Sequence, residues 1–193
     1  LWLREIGKIT IFRPSERDRI WYNFLFGNIS RKKEGSMIVV GLGNLLLCDE
    51  GVGVHVVTAM MERGLLEGME LVDGGVAGFS LINLIEGHEK VVIIDAVDAP
   101  LDAGTVIKLF PNEVGRKKED RYSLHDLTIR DTLDLMIIME TMPDMLILGI
   151  VPEDMRTYKI GLSPHLEECF EEILEKAVKE IKRFSRLQLR GNS

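Results

Sequence analysis

An open α/β sandwich, with a mostly parallel twisted sheet covered by helices on both faces, is predicted by three features of this sequence. Short runs such as Ile38-Val39-Val40, Val91-Val92-Ile93-Ile94 and Leu146-Ile147-Leu148 are apolar throughout, as expected of strands buried on both faces. These runs alternate with segments whose apolar residues recur at helical spacing. They also end in turn-forming clusters, Gly41-Leu42-Gly43 and Asp73-Gly74-Gly75 among them. Strands alternating with helices bury both faces of a parallel sheet.

Met37 to Gly43 reads as a buried strand feeding a loop, and Val52, Val56, Ala59 and Met60 then mark a helix from about Gly51 to Arg63. Met69 to Val72 is a second strand closed by Asp73-Gly74-Gly75, and Phe79 to Glu86 is a short helix. Val91 to Ile94 is a third strand, and Gly104 to Phe110 a further one at an edge. Ser123 with Asp126 resembles a capping box, which predicts a helix from Leu124 through Met139. Met145 to Val151 is another strand, stopped by Pro152. Ser163 is an N-cap with Pro164 at the first helical position, and the apolar positions from Leu166 to Phe184 predict one long amphipathic helix.

The chain has 193 residues, 46% of them hydrophobic and 28% charged, which suits a single soluble domain and excludes disordered, collagenous and disulfide-scaffold classes. Cys48 and Cys169 are far apart and form no C-x-x-C pair, so a reduced, cytoplasmic protein is expected. Glu140, Pro143 and Asp144 interrupt the longest apolar stretch, so no membrane insertion is expected.

The first 36 residues differ from the rest. They carry eight Lys/Arg against four acids, whereas the whole chain has a net charge of -7. Both tryptophans, Trp2 and Trp21, lie in this segment, and all nine methionines lie from Met37 onward. The apolar residues of 1–36 keep no strand or helix period, so an amino-terminal extension, disordered or not translated natively, is expected ahead of a single α/β domain at 37–193. The acidic balance of the remainder disfavours a nucleic-acid partner.

In open α/β sheets ligands bind outside the carboxyl ends of the strands, where the strand order reverses. Asp49 and Glu50 follow the first strand, Asp95 and Asp98 follow the third, and His125 falls in the first turn of a later helix. Each alone has an ordinary explanation, such as a helix-terminal or turn-forming acid or a surface histidine. Together, one Glu, one Asp and one His make an open metal site of two oxygens and one nitrogen, suited to zinc or nickel. A metal so held lowers the pKa of bound water to about 7 and supports hydrolysis without a nucleophilic side chain. The glycines of the Gly51-Val52-Gly53 and Gly74-Gly75 loops either grip a flexible peptide or form ordinary tight turns.

Competing signatures are incomplete. Gly41-x-Gly43 opens like a dinucleotide fingerprint with Asp73 at the ribose position, but Leu46 stands where the third glycine belongs. His88-Glu89 lacks the second histidine of a zincin, and Gly78-x-Ser80 lacks the second glycine of a nucleophile elbow. Cys48 reads as a small buried apolar residue, and His55 and His165 as ordinary helix residues.

The ordered motifs Gly41-Leu-Gly-Asn-Leu-Leu-Leu-Cys-Asp-Glu-Gly-Val-Gly53, Asp73-Gly-Gly75, Asp95-Ala96, His125-Asp-Leu127 and Gly161-Leu-Ser-Pro164 resemble those of the nickel-iron hydrogenase maturation endopeptidases. The resemblance runs from Met37 to the last helix and leaves the first 36 residues without a counterpart. It implies a peptidase that removes the carboxy-terminal extension of a hydrogenase large-subunit precursor once nickel is inserted. It further implies that Glu50, Asp95 and His125 contact the metal, that Asp73-Gly74-Gly75 contacts the precursor, and that the nickel belongs to the substrate. A non-catalytic nickel-site chaperone, a hydrolase owning its own zinc and a dinucleotide-binding oxidoreductase are the alternatives.

Overall fold

The computed structural model describes residues 4–6, 9–11, 33–76, 80–111, 113, 133–134, 136–137 and 142–187. Arg4–Ile6 (β1) and Ile9–Ile11 (β2) pair antiparallel as a separate two-stranded sheet. The main sheet has five strands, Lys33–Leu42 (β3), Glu70–Gly75 (β4), His88–Ala96 (β5), Val106–Leu109 (β6) and Asp144–Ile150 (β7), in the order β4-β3-β5-β7-β6. β3, β4, β5 and β7 are parallel, and β6 closes one edge antiparallel to β7. The expected edge strand is thus at an edge, and the sandwich expected from the alternating runs is the observed architecture.

Period-two alternation along the strands divides the core into two layers. Met37 and Val39 of β3 point to one face, where Val52, Val56, Val57 and Met60 of helix α1 (Val52–Glu62) meet Ile173, Leu174, Ala177, Ile181 and Phe184 of helix α4 (Phe170–Arg186). Ile38, Val40 and Leu42 point to the other, covered by Leu81 and Ile85 of helix α2 (Ser80–Ile85) and by Leu133 and Met136. Val91, Val92, Ile93 and Ile94 are all fully buried, which is why this run carries no polar alternation. Each buried Ile, Leu or Phe of α4 contributes about 1.5–3 kcal/mol through removal from water.

Four boundaries differ most from the expectations. β5 runs from His88 to Ala96 rather than Val91 to Ile94, so Asp95 lies within the strand and not after it, because β7 pairs with it as far as Ala96. β3 begins at Lys33 rather than Met37, pairing Lys33 with His88 and shifting register before Met37. β4 continues through Asp73, Gly74 and Gly75 instead of stopping at Val72, because β3 carries its pairing on to Gly75 across a bulge after Gly41. The long last helix is two, α3 (Pro164–Glu168) and α4, broken at Cys169 with φ -97 and ψ 9. A Cβ at Gly104 would stand 2.6 Å from Cys169 Sγ, so the break sits where the cysteine packs flat on the Gly104 backbone. Tertiary packing overrides a continuous periodicity there.

Ser163 behaves as its sequence predicts: its hydroxyl accepts from Leu166 N at 3.3 Å, with Pro164 in the first turn of α3. Of the helix expected over 124–139, residues 133, 134, 136 and 137 are described and are helical, while the Ser123–Asp126 capping box lies outside the described residues. Among the described residues, no helix is long and apolar enough to cross a membrane.

Candidate active site

β4 and β5 flank β3 on opposite sides, so the strand order reverses beside β3. The crevice for a ligand belongs at the carboxyl ends of β3 and β5. β3 ends at Leu42, and the chain then turns through Gly43 into a 3-10 turn, Cys48–Gly51, that runs directly into α1. Two glycines make this descent onto the sheet possible. Gly43 has φ +138, and a Cβ there would lie 1.9 Å from the Glu50 carbonyl oxygen. A Cβ on Gly53 would lie 2.2 Å from Ile94 O and 2.4 Å from Leu42 O, so the start of α1 rests on the ends of both strands. Close backbone packing therefore accounts for these glycines.

The turn brings Glu50 against the end of the strand that carries Asp95, since the turn and β5 are in contact. Both acids are largely sequestered, Glu50 at 8% exposure and Asp95 at 2%. Asp95 is the penultimate residue of β5, and its Oδ1 accepts from Ala96 N at 2.9 Å. On the other side of β3, Gly43 N donates to Gly75 O at 2.9 Å, which places the Asp73-Gly74-Gly75 stretch along the same edge. Asp73 is exposed, and its Oδ1 accepts from Gly75 N at 2.9 Å, an Asx-type turn at the strand end. Glu50, Asp95, Asp73, Gly74 and Gly75 thus share the carboxyl edge around the reversal point. His125 lies outside the described residues. Among the described residues, no three His, Cys, Asp or Glu side chains group as a metal site.

Asp49 has a different role from the helix-terminal one its position suggests. It is fully buried, and its carboxylate accepts three backbone N–H bonds from distant residues: Glu153 and Asp154 at 2.9 Å and Ser163 at 2.7 Å. Among the described residues, the 3-10 turn has no side-chain cap. No local pattern reveals such a carboxylate, because its donors lie more than 100 positions away; the sole signal was an acid pair where a single acid would satisfy a helix start. Asp98 is exposed on the loop after β5.

Cys48 is buried with a left-handed φ of 50, and burial, reinforced by the charge of Asp49, pushes its thiol up from 9.0. It is therefore a protonated packing residue at neutral pH, not a nucleophile. His55 lies on α1, and burial lowers its pKa from 6.5 while Asp49 and Glu167 oppose that shift. Its Nε2 is buried and has no hydrogen-bond partner among the described residues. His165 Nε2 lies 3.3 Å from Ala103 O. Both keep the ordinary reading.

A mostly parallel α/β sheet with acids at its reversal point defines a class of protein whose ligands bind at the strand ends. Comparison with known proteins narrows the class: a family profile described as hydrogenase maturation protease matches residues 54–180. The hydrogenase 2 maturation protease of Escherichia coli strain K12 is 34% identical over 145 residues, covering 74% of this chain and 88% of that protein. The structure superposes on the hydrogenase maturating endopeptidase HybD of E. coli with a TM-score of 0.66 at 29% identity, covering 77% of this chain and 93% of that one. The NiFe hydrogenase maturation protease HybD of Thermococcus kodakarensis gives a TM-score of 0.62 at 25% identity, covering 78% and 99%. The chain belongs to the hydrogenase maturation protease family. It is an endopeptidase, which sets aside the oxidoreductase and the non-catalytic chaperone.

Proposed function

We propose that this protease removes the carboxy-terminal extension of a nickel-iron hydrogenase large-subunit precursor after nickel insertion, and that Glu50, Asp95 and His125 contact the nickel. The observation that carries this reading is the placement of the Glu50 turn against the end of the Asp95 strand, at the reversal point of the sheet. The nickel is cargo of the substrate, held by cysteines of the precursor. Two carboxylate oxygens and an imidazole nitrogen are donors that nickel accepts.

The chemistry follows from those donors. Docking of the precursor's metal between Glu50 and Asp95 fixes the scissile peptide at one place, which converts an encounter into an oriented reaction. The metal, or one carboxylate as general base, activates the attacking water. Burial of both acids strengthens their attraction for a cation by excluding bulk water. Asp73, Gly74 and Gly75 line the approach along the same edge and contact the precursor chain. A precursor without nickel lacks the anchor and is not cut.

The test is processing of purified, nickel-loaded precursor, followed by mass spectrometry. Glu50→Gln, Asp95→Asn and His125→Ala should each abolish release of the extension while circular dichroism and Tm stay near those of the parent. Full cleavage by any one of the three removes that residue from the site.

A further inference from the structure

Two stretches far apart in the sequence, the turn after β3 and the chain leading to Gly161-Leu-Ser-Pro164, meet through one buried side chain. Asp49 Oδ2 accepts Glu153 N and Asp154 N at 2.9 Å, Oδ1 accepts Ser163 N at 2.7 Å, and Asp49 N donates to Asp154 O at 3.0 Å. One residue earlier, Cys48 N donates to Lys159 O at 2.9 Å while Cys48 holds a left-handed φ of 50. A residue with a side chain keeps that conformation only where its surroundings over-determine it, and such strain gathers at functional sites. One residue later stands Glu50.

The backbone is pinned on both sides of that residue. Glu50 N donates to Leu47 O at 3.1 Å, and the Glu50 carbonyl oxygen packs where a Cβ on Gly43 would stand 1.9 Å away. Glycine packing thus presses the end of the turn onto the strands, and the Asp49 bonds tie its start to residues 153–163. Asp49 uses both oxygens to accept three amides, which the single carbonyl oxygen and NH2 of an asparagine cannot match. Amide bonds to a charged acceptor are roughly twice as strong as neutral ones. A side chain carried by a turn held in this way is preset, so its ordering cost is not incurred when a partner binds.

We propose that Asp49 is a positioning residue for Glu50: bonded to the amides of Glu153, Asp154 and Ser163, it fixes the turn so that Glu50 is preset at the end of β5 before the precursor's metal arrives. The inference rests on the proposed function, in which Glu50 contacts nickel. Asp49 is fully buried and its oxygens are given to backbone amides, so it acts through Glu50 and not on the precursor itself. It serves the nickel-dependent part of precursor recognition and the cleavage step, not the docking of the polypeptide.

The test uses the full chain with purified precursor, nickel-loaded and nickel-free, and reads kcat together with Kd measured by rapid mixing ahead of cleavage. Asp49→Asn should lower kcat on the loaded precursor by on the order of 10–100-fold, the cost of a reacting group misplaced by about 1 Å. It should weaken the Kd of the loaded precursor about tenfold and leave that of the nickel-free precursor unchanged. In a Glu50→Gln background the same substitution should add nothing to the loss of affinity, because both changes remove one contact. Equal weakening of both precursor forms, or additive losses in the double variant, would overturn the proposal, since a merely structural Asp49 gives those results. If Asp49→Asn does not fold, Ser163→Pro decides: Ser163 has φ -63, which proline adopts, and the substitution withdraws one amide from Asp49. Ser163→Ala keeps that amide and controls for the lost hydroxyl cap. Against that control, Ser163→Pro should weaken the loaded precursor alone by about threefold, and equal Kd values for the two variants would refute the positioning role. A Glu50→Gln variant that binds and cuts the loaded precursor as the parent does removes Glu50 from the site and this inference with it. Inactive Glu50→Gln beside parental Asp49→Asn sinks the positioning role alone.

Discussion

Lys90 and Asp95 stand at opposite ends of one strand, and their surroundings differ in kind. At the amino-terminal end, the Lys90 ammonium donates to the carbonyls of Phe184, Ser185 and Leu187 at 3.4, 2.8 and 2.6 Å and lies 5.8 Å from the Phe184 ring centre. A cation there meets the negative end of α4 and the carbonyls the helix leaves unsatisfied. Nearby, His88 Nε2 lies 3.1 Å from Glu70 Oε2, across neighbouring parts of the sheet edge. At the carboxyl-terminal end the buried charges are acids, Asp49, Glu50 and Asp95, set on a backbone so close that side chains are excluded at Gly43 and Gly53. The first end closes the fold by giving the Lys90 ammonium the carbonyls and ring that end α4. The second gathers three buried carboxyl groups where the sheet order reverses, one of which, Asp49, accepts three backbone amides.

The sharpest way to break this contrast is Gly53→Ala. The added methyl would meet the Ile94 and Leu42 carbonyl oxygens, which are backbone and cannot move aside. A loss of more than about 4 kcal/mol is expected, read as a collapse of Tm or failure to fold; a Tm within a few degrees of the parent would show that α1 does not rest on the strand ends as described. At the other end, Lys90→Met keeps the aliphatic stem and removes the cap, and should cost about 1–2 kcal/mol. Its amide exchange should rise in the last turn of α4 and not at the carboxyl edge.

A smaller effect concerns pH. Burial holds the folded pKa of His55 below 6.5, so the unfolded chain takes up this proton first as pH falls. Its contribution to stability is therefore complete above pH 6.5 and lost progressively as pH drops from there towards the depressed folded value. Denaturant midpoints should fall over that window in the parent and less steeply in His55→Gln; parallel curves would contradict it. Least of all should matter the exposed pair of Arg63 and Glu171, two bonds of 2.7 Å across α1 and α4. Each partner favours the other's charged form, yet both stand in water, where salt screens such pairs. Arg63→Met should leave Tm nearly unmoved, and entirely so in high salt.

Much of this contrast was legible in the sequence. Unbroken runs of Val and Ile demanded strands covered on both sides, and Ser163-Pro164 announced a helix start by capping chemistry that acts within four residues. Glu50 and Asp95 could be placed on one edge because strand ends in a parallel sheet share a direction. What stayed hidden was set by contacts distant in sequence. The break at Cys169 depends on the Gly104 backbone, and the amides bound by Asp49 come from the far side of β7. The extension of β4 through Asp73-Gly74-Gly75 depends on β3 continuing beside it, which overrides the turn preference of those residues.

The central claim is that the acids at the carboxyl edge act on a nickel carried by the substrate. Its most direct test is the rate at which this protease cuts purified large-subunit precursor prepared with and without nickel, with the released extension measured by mass spectrometry. Cleavage of the nickel-loaded precursor alone is the predicted result, and equal cleavage of both forms would contradict it.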